Sequence, residues 1–198
     1  MSMVGTKVML RPVRLDDAAI MGEWKNDEQT YMYLGGGYQP ISLDQYRKWV
    51  ENMIDQTGSN KRFIIENMEH QPIGMVGLYS INWIHRTCEI GAFIGDHGSQ
   101  NRGLATEACH IIEQYASFYL NLRKISLKVV DENNRAKAFW QKLGYNAVGK
   151  LRKERFINGK YCDVVIMEKF IEAVKIEGGG YNLSPFVLSG KTGCLICA

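Results

Sequence analysis

Long apolar runs are missing from this sequence, and no stretch approaches the roughly 20 residues that a helix needs to cross a bilayer. An apolar signal segment at the start is missing as well. The five cysteines are an odd number scattered along the chain, which argues against a secreted disulfide scaffold. We therefore expect a soluble protein of the cytoplasm, with no membrane partner.

A marked excess of one charge sign is also absent. The 24 Lys and Arg residues against 21 Asp and Glu residues give +3, which is too little to indicate a nucleic-acid partner. A zinc-ligand pattern is absent too, because the C-x-x-C formed by Cys194 and Cys197 has no second Cys or His pair at the required spacing. We expect no metal ion.

The chain divides into one folded domain, residues 1–172, and a glycine-rich C-terminal tail without periodicity, residues 173–198. Hydrophobic periodicity and turn residues predict a strand at 7–12, helices at 14–27 and 41–54, a hairpin at 62–81, a strand at 87–95, a helix at 103–120, a strand at 124–130, a helix at 135–142 and a hairpin at 145–170. This order predicts a mixed α+β sheet with helices on both faces.

The segment SQNRGLATEA, residues 99–108, joins the strand at 87–95 to the longest predicted helix. The first amides of a helix have no acceptor within the helix, and the helix dipole makes this end positive. Gly103 and Ala105 let a ligand approach the backbone closely, and Arg102 adds a full charge. The motif therefore predicts an anion site, although such a glycine can also serve only close packing. A Walker loop and a dinucleotide-binding loop are less favoured, because Gly-Lys-Ser/Thr and Gly-x-Gly are both absent.

Together with a second motif, ENNRAKAFWQKLGY, this segment resembles the GNAT superfamily of acetyl-coenzyme-A-dependent N-acetyltransferases. The first pattern, Q-x-x-G-x-A, is carried by Gln100, Gly103 and Ala105. The second is carried by Asn133, Ala136, Trp140, Lys142, Gly144 and Tyr145. The resemblance is strongest to the branch of ribosomal-protein alanine and spermidine acetyltransferases. It implies the GNAT fold, with a mostly antiparallel central sheet of about seven strands.

The resemblance implies acetyl-coenzyme A as co-substrate and a set of residues that bind it. The backbone of Ala92, Phe93 and Ile94 is expected to pair with the pantetheine arm and to direct an N–H at the thioester oxygen. Asn133 is expected to bind the pantetheine, and Ala136, Trp140 and Lys142 belong to the same cofactor-binding motif. The pyrophosphate is assigned to Gln100, Asn101, Arg102, Gly103, Leu104, Ala105 and Thr106.

Two residues are the catalytic candidates. Glu89 lies on the strand face opposite the apolar residues and is our candidate to take the proton of the attacking amine, the alternative being an exposed carboxylate paired with Arg86 or a lysine. Trp140 stands where most relatives have a tyrosine that protonates the departing thiolate. An indole N–H donates a hydrogen bond without giving up its proton, so Trp140 orients the sulfur or belongs to a packed aromatic stripe. Tyr145 and Tyr79 are the substitute acids to consider.

The resemblance implies a primary amine as the acceptor, and the sequence leaves a protein N-terminus, a small amine or antibiotic and an amino sugar open. Spermidine acetyltransferases line their pocket with carboxylates, whereas the comparable segments YLGGGYQP and GLYS are nearly free of them. The segment EWKND, residues 23–27, resembles relatives that act on amino-sugar nucleotides, or it packs a tryptophan on the sheet. A spermidine acetyltransferase and an acetyl-coenzyme A sensor without efficient turnover are the alternative functions. The oligomeric state is also open, with a homodimer among the options.

Overall fold

The computed structural model describes residues 3–34 and 38–171. The predicted tail with Cys194 and Cys197 lies outside the described residues, so the domain boundary at 172 stays a prediction. Over the described residues, eight strands form one sheet in the order β1-β2-β3-β4-β5-β6-β8-β7, in which only β5 and β6 pair in parallel. The predicted α+β class and the mostly antiparallel sheet are confirmed.

The strands are β1 Met3–Val4, β2 Val8–Pro12, β3 Lys61–Asn67, β4 Pro72–Asn82, β5 Thr87–Ile94, β6 Lys124–Val130, β7 Asn146–Ile157 and β8 Lys160–Phe170. The helices are α1 Ala18–Asn26, α2 Glu28–Tyr31, α3 Leu43–Ile54, α4 Leu104–Phe118 and α5 Asn134–Lys142. The sequence missed β1 and α2, because elements of two and four residues are too short to show a period.

Both faces of the sheet are covered, which explains why its central strands are buried on two sides. On one face α4 and α5 pack over a large cluster that includes Leu10, Ile65, Val76, Ile112 and Ile125. On the other face α1 and α3 cover a second cluster, whose members are Val13, Ala18, Met21, Trp24, Tyr46, Val50, Ile64 and Met75. Phe93 of β5 packs against this second cluster, so the strand face that carries Glu89 is half covered.

Helix α4 is shorter than the predicted 103–120, and its buried stripe is displaced by about one residue from the expected one. The expected stripe was Leu104, Ala108, Ile111, Tyr115 and Phe118. The buried apolar residues are instead Ala108, Cys109, Ile112 and Ala116, whose small or compact side chains let the helix lie close to the sheet. Phe118 is 46% exposed and stacks edge-on against Tyr119 beyond the core.

The segment EWKND is used to fasten α1, α2 and α3 together. Trp24 is 4% exposed and packs edge-on against Phe93, with 6.0 Å between the ring centroids. The side-chain amide of Asn26 donates to the carbonyl of Ile41 and accepts from its N–H, both at 2.9 Å. Asp27 caps α2 by accepting from the N–H of Gln29 at 3.0 Å. The structure therefore gives this motif a packing role.

Candidate active site

Strands β5 and β6 form a cleft because they diverge soon after they begin. Their parallel pairing covers three residue pairs, from Thr87 with Lys124 to Glu89 with Ser126. Beyond Glu89 the edge of β5 that faces β6 has no strand partner among the described residues, while its other edge remains paired with β4 up to Ile94. Unpaired backbone N–H and C=O groups on such an edge can bind an extended chain as an added strand. Ala92, Phe93 and Ile94 lie on this edge.

The N-terminal end of α4, residues 101–106, lies just beyond the end of β5 and is called the mouth of α4 below. Gly103 precedes the helix in a left-handed conformation with φ of 77°, and no side chain caps the helix. Asn101 also has a positive φ, 61°. Within the described part of the chain, none of the six backbone amides from Asn101 to Thr106 donates a hydrogen bond to another group. Successive free amides at a positive helix end form a ready anion site.

Basic side chains surround these amides. Arg102 is exposed, and Nζ of Lys7 lies 4.0 Å from where a Cβ on Gly103 would stand. Arg135, from the first turn of α5, donates to Oδ1 of Asn101 at 3.0 Å and to Oε1 of Gln100 at 3.3 Å. Gln100 in turn donates to the carbonyl of Ile94 at 3.3 Å, which ties this loop to the end of β5.

Glu107 is the carboxylate of the first turn of α4, and the segment before β2 surrounds it. Its oxygens accept from the backbone N–H groups of Thr6, Lys7 and Val8 at 2.7 to 2.9 Å and from the hydroxyl of Thr6 at 2.6 Å. Burial opposes the charged form, but the hydrogen bonds from Thr6, Lys7 and Val8 outweigh it and lower the pKa of Glu107. The negative charge of Glu107 is therefore bound by the segment that leads into β2.

The residues of the second motif begin just before α5, the helix that follows β6 on the other side of the cleft. Asn133 caps α5, since its Oδ1 accepts from the N–H of Ala136 at 3.0 Å. Its Nδ2 group has no partner among the described residues and is free to donate. Lys142 is exposed near the end of α5, and Ala136 packs against the large core cluster.

Glu89 and Tyr79 lie directly opposite each other in register on β5 and β4, so both side chains are on one face of the sheet. The side chain of Glu89 is 41% exposed and pairs with Lys128 of β6 at 3.2 Å. Arg86, the other partner considered, bonds to Asn121 instead. Burial raises the pKa of Tyr79, whose ring lies over Gly91, 3.3 Å from where a Cβ would stand.

Helix α2 and the residues after it cross over this face of the cleft. Tyr31 meets Phe93 of β5 edge-on at 5.7 Å, and Tyr33 packs against Val130 of β6 and its neighbours on β8. Arg155 of β7 donates from Nη1 to the carbonyl of Tyr33 at 3.0 Å. Together Tyr31, Tyr33 and their neighbours cover the region next to Glu89, and this side of the sheet is called the roofed face below.

Trp140 and Tyr145 lie in the core rather than at the cleft surface. Trp140 is 6% exposed and meets the Tyr145 ring edge-on at 5.2 Å. The hydroxyl of Tyr145 donates to Glu113 at 2.8 Å, and burial raises the pKa of this phenol far above its ordinary range. Tyr145, at 1% exposure, therefore cannot serve as the substitute acid.

The sequence did not point to Lys128, Tyr31, Tyr33 or Arg155. No local motif marks them, because each reaches the cleft through contacts between distant segments. The alternation along β6 and β7 was the signal that could have placed Lys128 and Arg155 on the face of Glu89. Among the described residues, no group of three or more His, Cys, Asp and Glu side chains is arranged to hold a metal ion. No helix in the same residues has the length and apolar character to span a membrane.

The comparison with known families agrees with this architecture. Residues 7–146 match the family described as the acetyltransferase (GNAT) domain. This match spans well over half of the chain, and the chain belongs to the GNAT acetyltransferase family. Its activity is that of an N-acetyltransferase, in a family whose members use acetyl-coenzyme A.

Several of its relatives within this family are spermidine N-acetyltransferases. The spermidine N(1)-acetyltransferase of Escherichia coli (strain K12) is 31% identical over 160 residues, which cover 81% of this chain and 84% of the relative. That of Vibrio cholerae is 37% identical over 106 residues, 54% of this chain and 61% of the relative. A crystal structure of the Vibrio cholerae enzyme with CoA and spermine superposes with a TM-score of 0.76 at 30% identity, covering 82% of this chain and 95% of that one.

Proposed function

We propose that this N-acetyltransferase moves an acetyl group from acetyl-coenzyme A to a primary amine by direct attack while both substrates are bound. The observation that carries the proposal is the cleft: an unpaired strand edge on β5 runs directly into six unpartnered amides at the mouth of α4. An extended pantetheine arm fits the first feature and a pyrophosphate fits the second. The donor supplies the acetyl thioester.

Different residues of this chain would bind different parts of acetyl-coenzyme A. The amides of Asn101 to Thr106, with Lys7, Arg102 and Arg135 beside them, would hold the pyrophosphate. Gln100 would fix the loop to β5, so that the strand edge and the amides keep their spacing. The free Nδ2 of Asn133 would donate to the pantetheine, and exposed Lys142 would add positive charge at the far wall of the cleft. An N–H from the Ala92 to Ile94 edge would stabilise negative charge that develops on the thioester oxygen.

Glu89 is proposed to take the proton from the amine, directly or through a water molecule. It lies where the two strands begin to part, on the face that α2 roofs over. Its carboxylate pairs with Lys128 at 3.2 Å, and a carboxylate is a group that can accept the proton of an amine. Because Trp140 is buried and cannot act as an acid, we propose that coenzyme A leaves as a thiolate that water protonates.

The acceptor candidates are a protein N-terminus, a small amine and an amino sugar, and spermidine is a second candidate favoured by the similarity to spermidine acetyltransferases. On the roofed face, however, Glu89 is paired with Lys128, the nearby Glu168 is paired with Lys124, and Arg155 adds a further cation. A multiply charged cation would meet like charges there. We therefore rank spermidine below an acceptor with a single amine.

An assay of thiol release from acetyl-coenzyme A across a panel of amines tests this function. We expect release that depends on an added primary amine and that saturates with it. Binding of acetyl-coenzyme A without release for any acceptor would contradict the proposal and favour a sensor. Release with polyamines alone would contradict our ranking of the acceptors.

The oligomeric state and the cellular location of the protein are also proposals. A structure of the Vibrio cholerae spermidine N-acetyltransferase is described as dodecameric. We propose a homo-oligomer, with a homodimer as its smallest form, located in the cytoplasm. Light scattering on the purified full chain would measure the first, and fractionation of the cell would measure the second.

A further inference from the structure

We propose that Arg155 binds an anionic group, a phosphate or a carboxylate, that the acceptor molecule carries besides its amine. The proposal rests on the proposed function, since it assigns a substrate class to the same site. Three observations support it: the position of the guanidinium, its lack of a carboxylate partner, and the charge balance of the roofed face.

The position follows from the register of the sheet. Arg155 pairs with Cys162 of β8, which lies on the same face as Val130 and Val164 in the third core cluster. The guanidinium reaches back from β7 to the roof, where Nη1 donates to the carbonyl of Tyr33 at 3.0 Å. This contact joins segments 122 residues apart and holds the charge beside the acceptor region.

The guanidinium is partly buried without an anionic partner. Among the described residues, no carboxylate lies within ion-pair distance of it, although the fields of Glu154 and Glu89 reach it. Burial lowers the pKa of Arg155, and those two carboxylates only partly offset this effect. A guanidinium has five N–H donors, of which the Tyr33 carbonyl uses one. The remaining donors suit the two oxygens of a carboxylate or a phosphate.

The excess of positive side chains on the roofed face also supports an anion site at Arg155. Arg62 stacks on the Tyr79 ring at 5.5 Å, and Lys128 lies at 3.2 Å from Glu89. Lys124 and Glu168, further along the face, neutralise each other at 2.9 Å. The described side chains discussed on this face therefore carry four cations, Arg62, Lys124, Lys128 and Arg155, against two carboxylates, Glu89 and Glu168, and Glu89 is the proposed proton acceptor. An amine with an anionic group would pair its amine with Glu89 and its anion with Arg155.

Matched acceptors that differ in one charge test this assignment. The pairs are glucosamine 6-phosphate against glucosamine, for phosphate, and β-alanine against β-alanine amide, for carboxylate, with spermidine as the cationic acceptor. We expect kcat/KM at least tenfold higher for the anionic member of one pair, and the pair that shows it identifies the anion. Equal or better use of both neutral members, or of spermidine, would overturn the proposal.

The variants separate charge from structure. Arg155→Gln keeps an N–H donor for the Tyr33 carbonyl and should lower kcat/KM for the preferred anionic acceptor at least tenfold, with less than a twofold change for its neutral partner. Arg155→Glu should move the preference toward spermidine. Arg152→Gln, exposed on the same strand, is the matched control and should change neither acceptor. An equal loss for both members of the pair in Arg155→Gln would show a structural role and overturn the proposal.

Calorimetric binding of the same acceptors in the presence of coenzyme A gives a readout that does not depend on turnover. If no amine were acetylated, the proposed function would fail. Binding of an anionic acceptor that Arg155→Gln weakens at least tenfold would still support the anion site, and binding unchanged by this substitution would overturn it.

Discussion

At the scale of single residues, the account depends most on Glu89. Replacing it with glutamine keeps the size of the side chain and removes its ability to take a proton. We expect kcat to fall about 100-fold, with the KM for acetyl-coenzyme A unchanged, because a positioned base contributes about that factor. Steady-state kinetics with both substrates varied would measure this.

A matched control for this prediction is available on the same face. Glu168 also pairs with a lysine, Lys124, at 2.9 Å, and it lies on β8, one strand beyond Ser126, the residue opposite Glu89. Glu168→Gln should keep kcat within twofold. If Glu89→Gln behaved like Glu168→Gln, Glu89 would be only an exposed partner of Lys128.

Trp140 provides a second prediction at this scale, since the structure shows it buried against Tyr145 and Phe139. Trp140→Phe keeps an aromatic ring and removes the indole N–H. Because Trp140 lies in the core rather than at the cleft surface, we expect kcat and the affinity for acetyl-coenzyme A to stay within twofold, whereas a tenfold fall in kcat would show that the N–H orients the sulfur. A variant with lower thermal stability but unchanged kcat would assign Trp140 to packing alone.

At the scale of elements, the contact between the start of β2 and α4 decides both stability and charge at the helix mouth. Glu107→Gln weakens four charge-assisted hydrogen bonds from Thr6, Lys7 and Val8, so we expect the free energy of unfolding to fall by about 2 kcal/mol at pH 7. Chemical denaturation measures this change.

The same substitution has a pH signature. The folded-state pKa of Glu107 lies below its ordinary value of 4.5, so its contribution to stability is complete above that value and disappears as the pH falls through the folded pKa. The stability difference between the two proteins should therefore shrink below about pH 4.5. Glu51→Gln, exposed on α3, is the control and should show no such difference. A gap that stayed constant down to pH 3 would contradict the charge-assisted bonds.

At the scale of the whole molecule, a buried ion network ties β2 to the neighbouring strand β3 and to the segment before α1. Arg11 makes two hydrogen bonds of 2.7 Å to Asp17 and also pairs with Glu66 of β3, and all three residues are at most 9% exposed. These contacts raise the pKa of Arg11, the hydrogen bond with Asp17 being the largest cause.

Removing the cation should therefore leave two buried carboxylates without their guanidinium partner, Asp17 keeping the N–H of Arg14. We expect Arg11→Ala to lower the free energy of unfolding by about 3–5 kcal/mol. Arg47→Ala, which removes an exposed pair with Asp44, should lower it by less than 1 kcal/mol. Denaturation curves for both variants would test this, and equal small losses would show that the buried network adds little.

The sequence predicted those features of the fold and of the site that depend on residues close together in the chain. The mouth of α4 was predictable because Gln100, Gly103 and Ala105 form a local motif, and the turn at Asn158 and Gly159 was predictable because both residues tolerate a positive φ. The acceptor side was not predictable in this way. The contact of Arg155 with Tyr33 spans 122 positions, and that of Glu89 with Lys128 spans 39, so only the folded sheet brings these side chains together.

The central claim is that free amides at the mouth of α4 bind the acetyl donor, and calorimetric titration of acetyl-coenzyme A into a Gly103 variant tests it most directly. Gly103→Glu would place a carboxylate and a Cβ at the left-handed position before the helix, whereas Gly58→Glu adds the same charge where nothing lies within 4 Å. We predict a loss of affinity of at least 100-fold for Gly103→Glu and less than twofold for Gly58→Glu, with circular dichroism confirming that both fold. A folded Gly103→Glu protein that binds acetyl-coenzyme A as tightly as the unmodified chain would contradict the account.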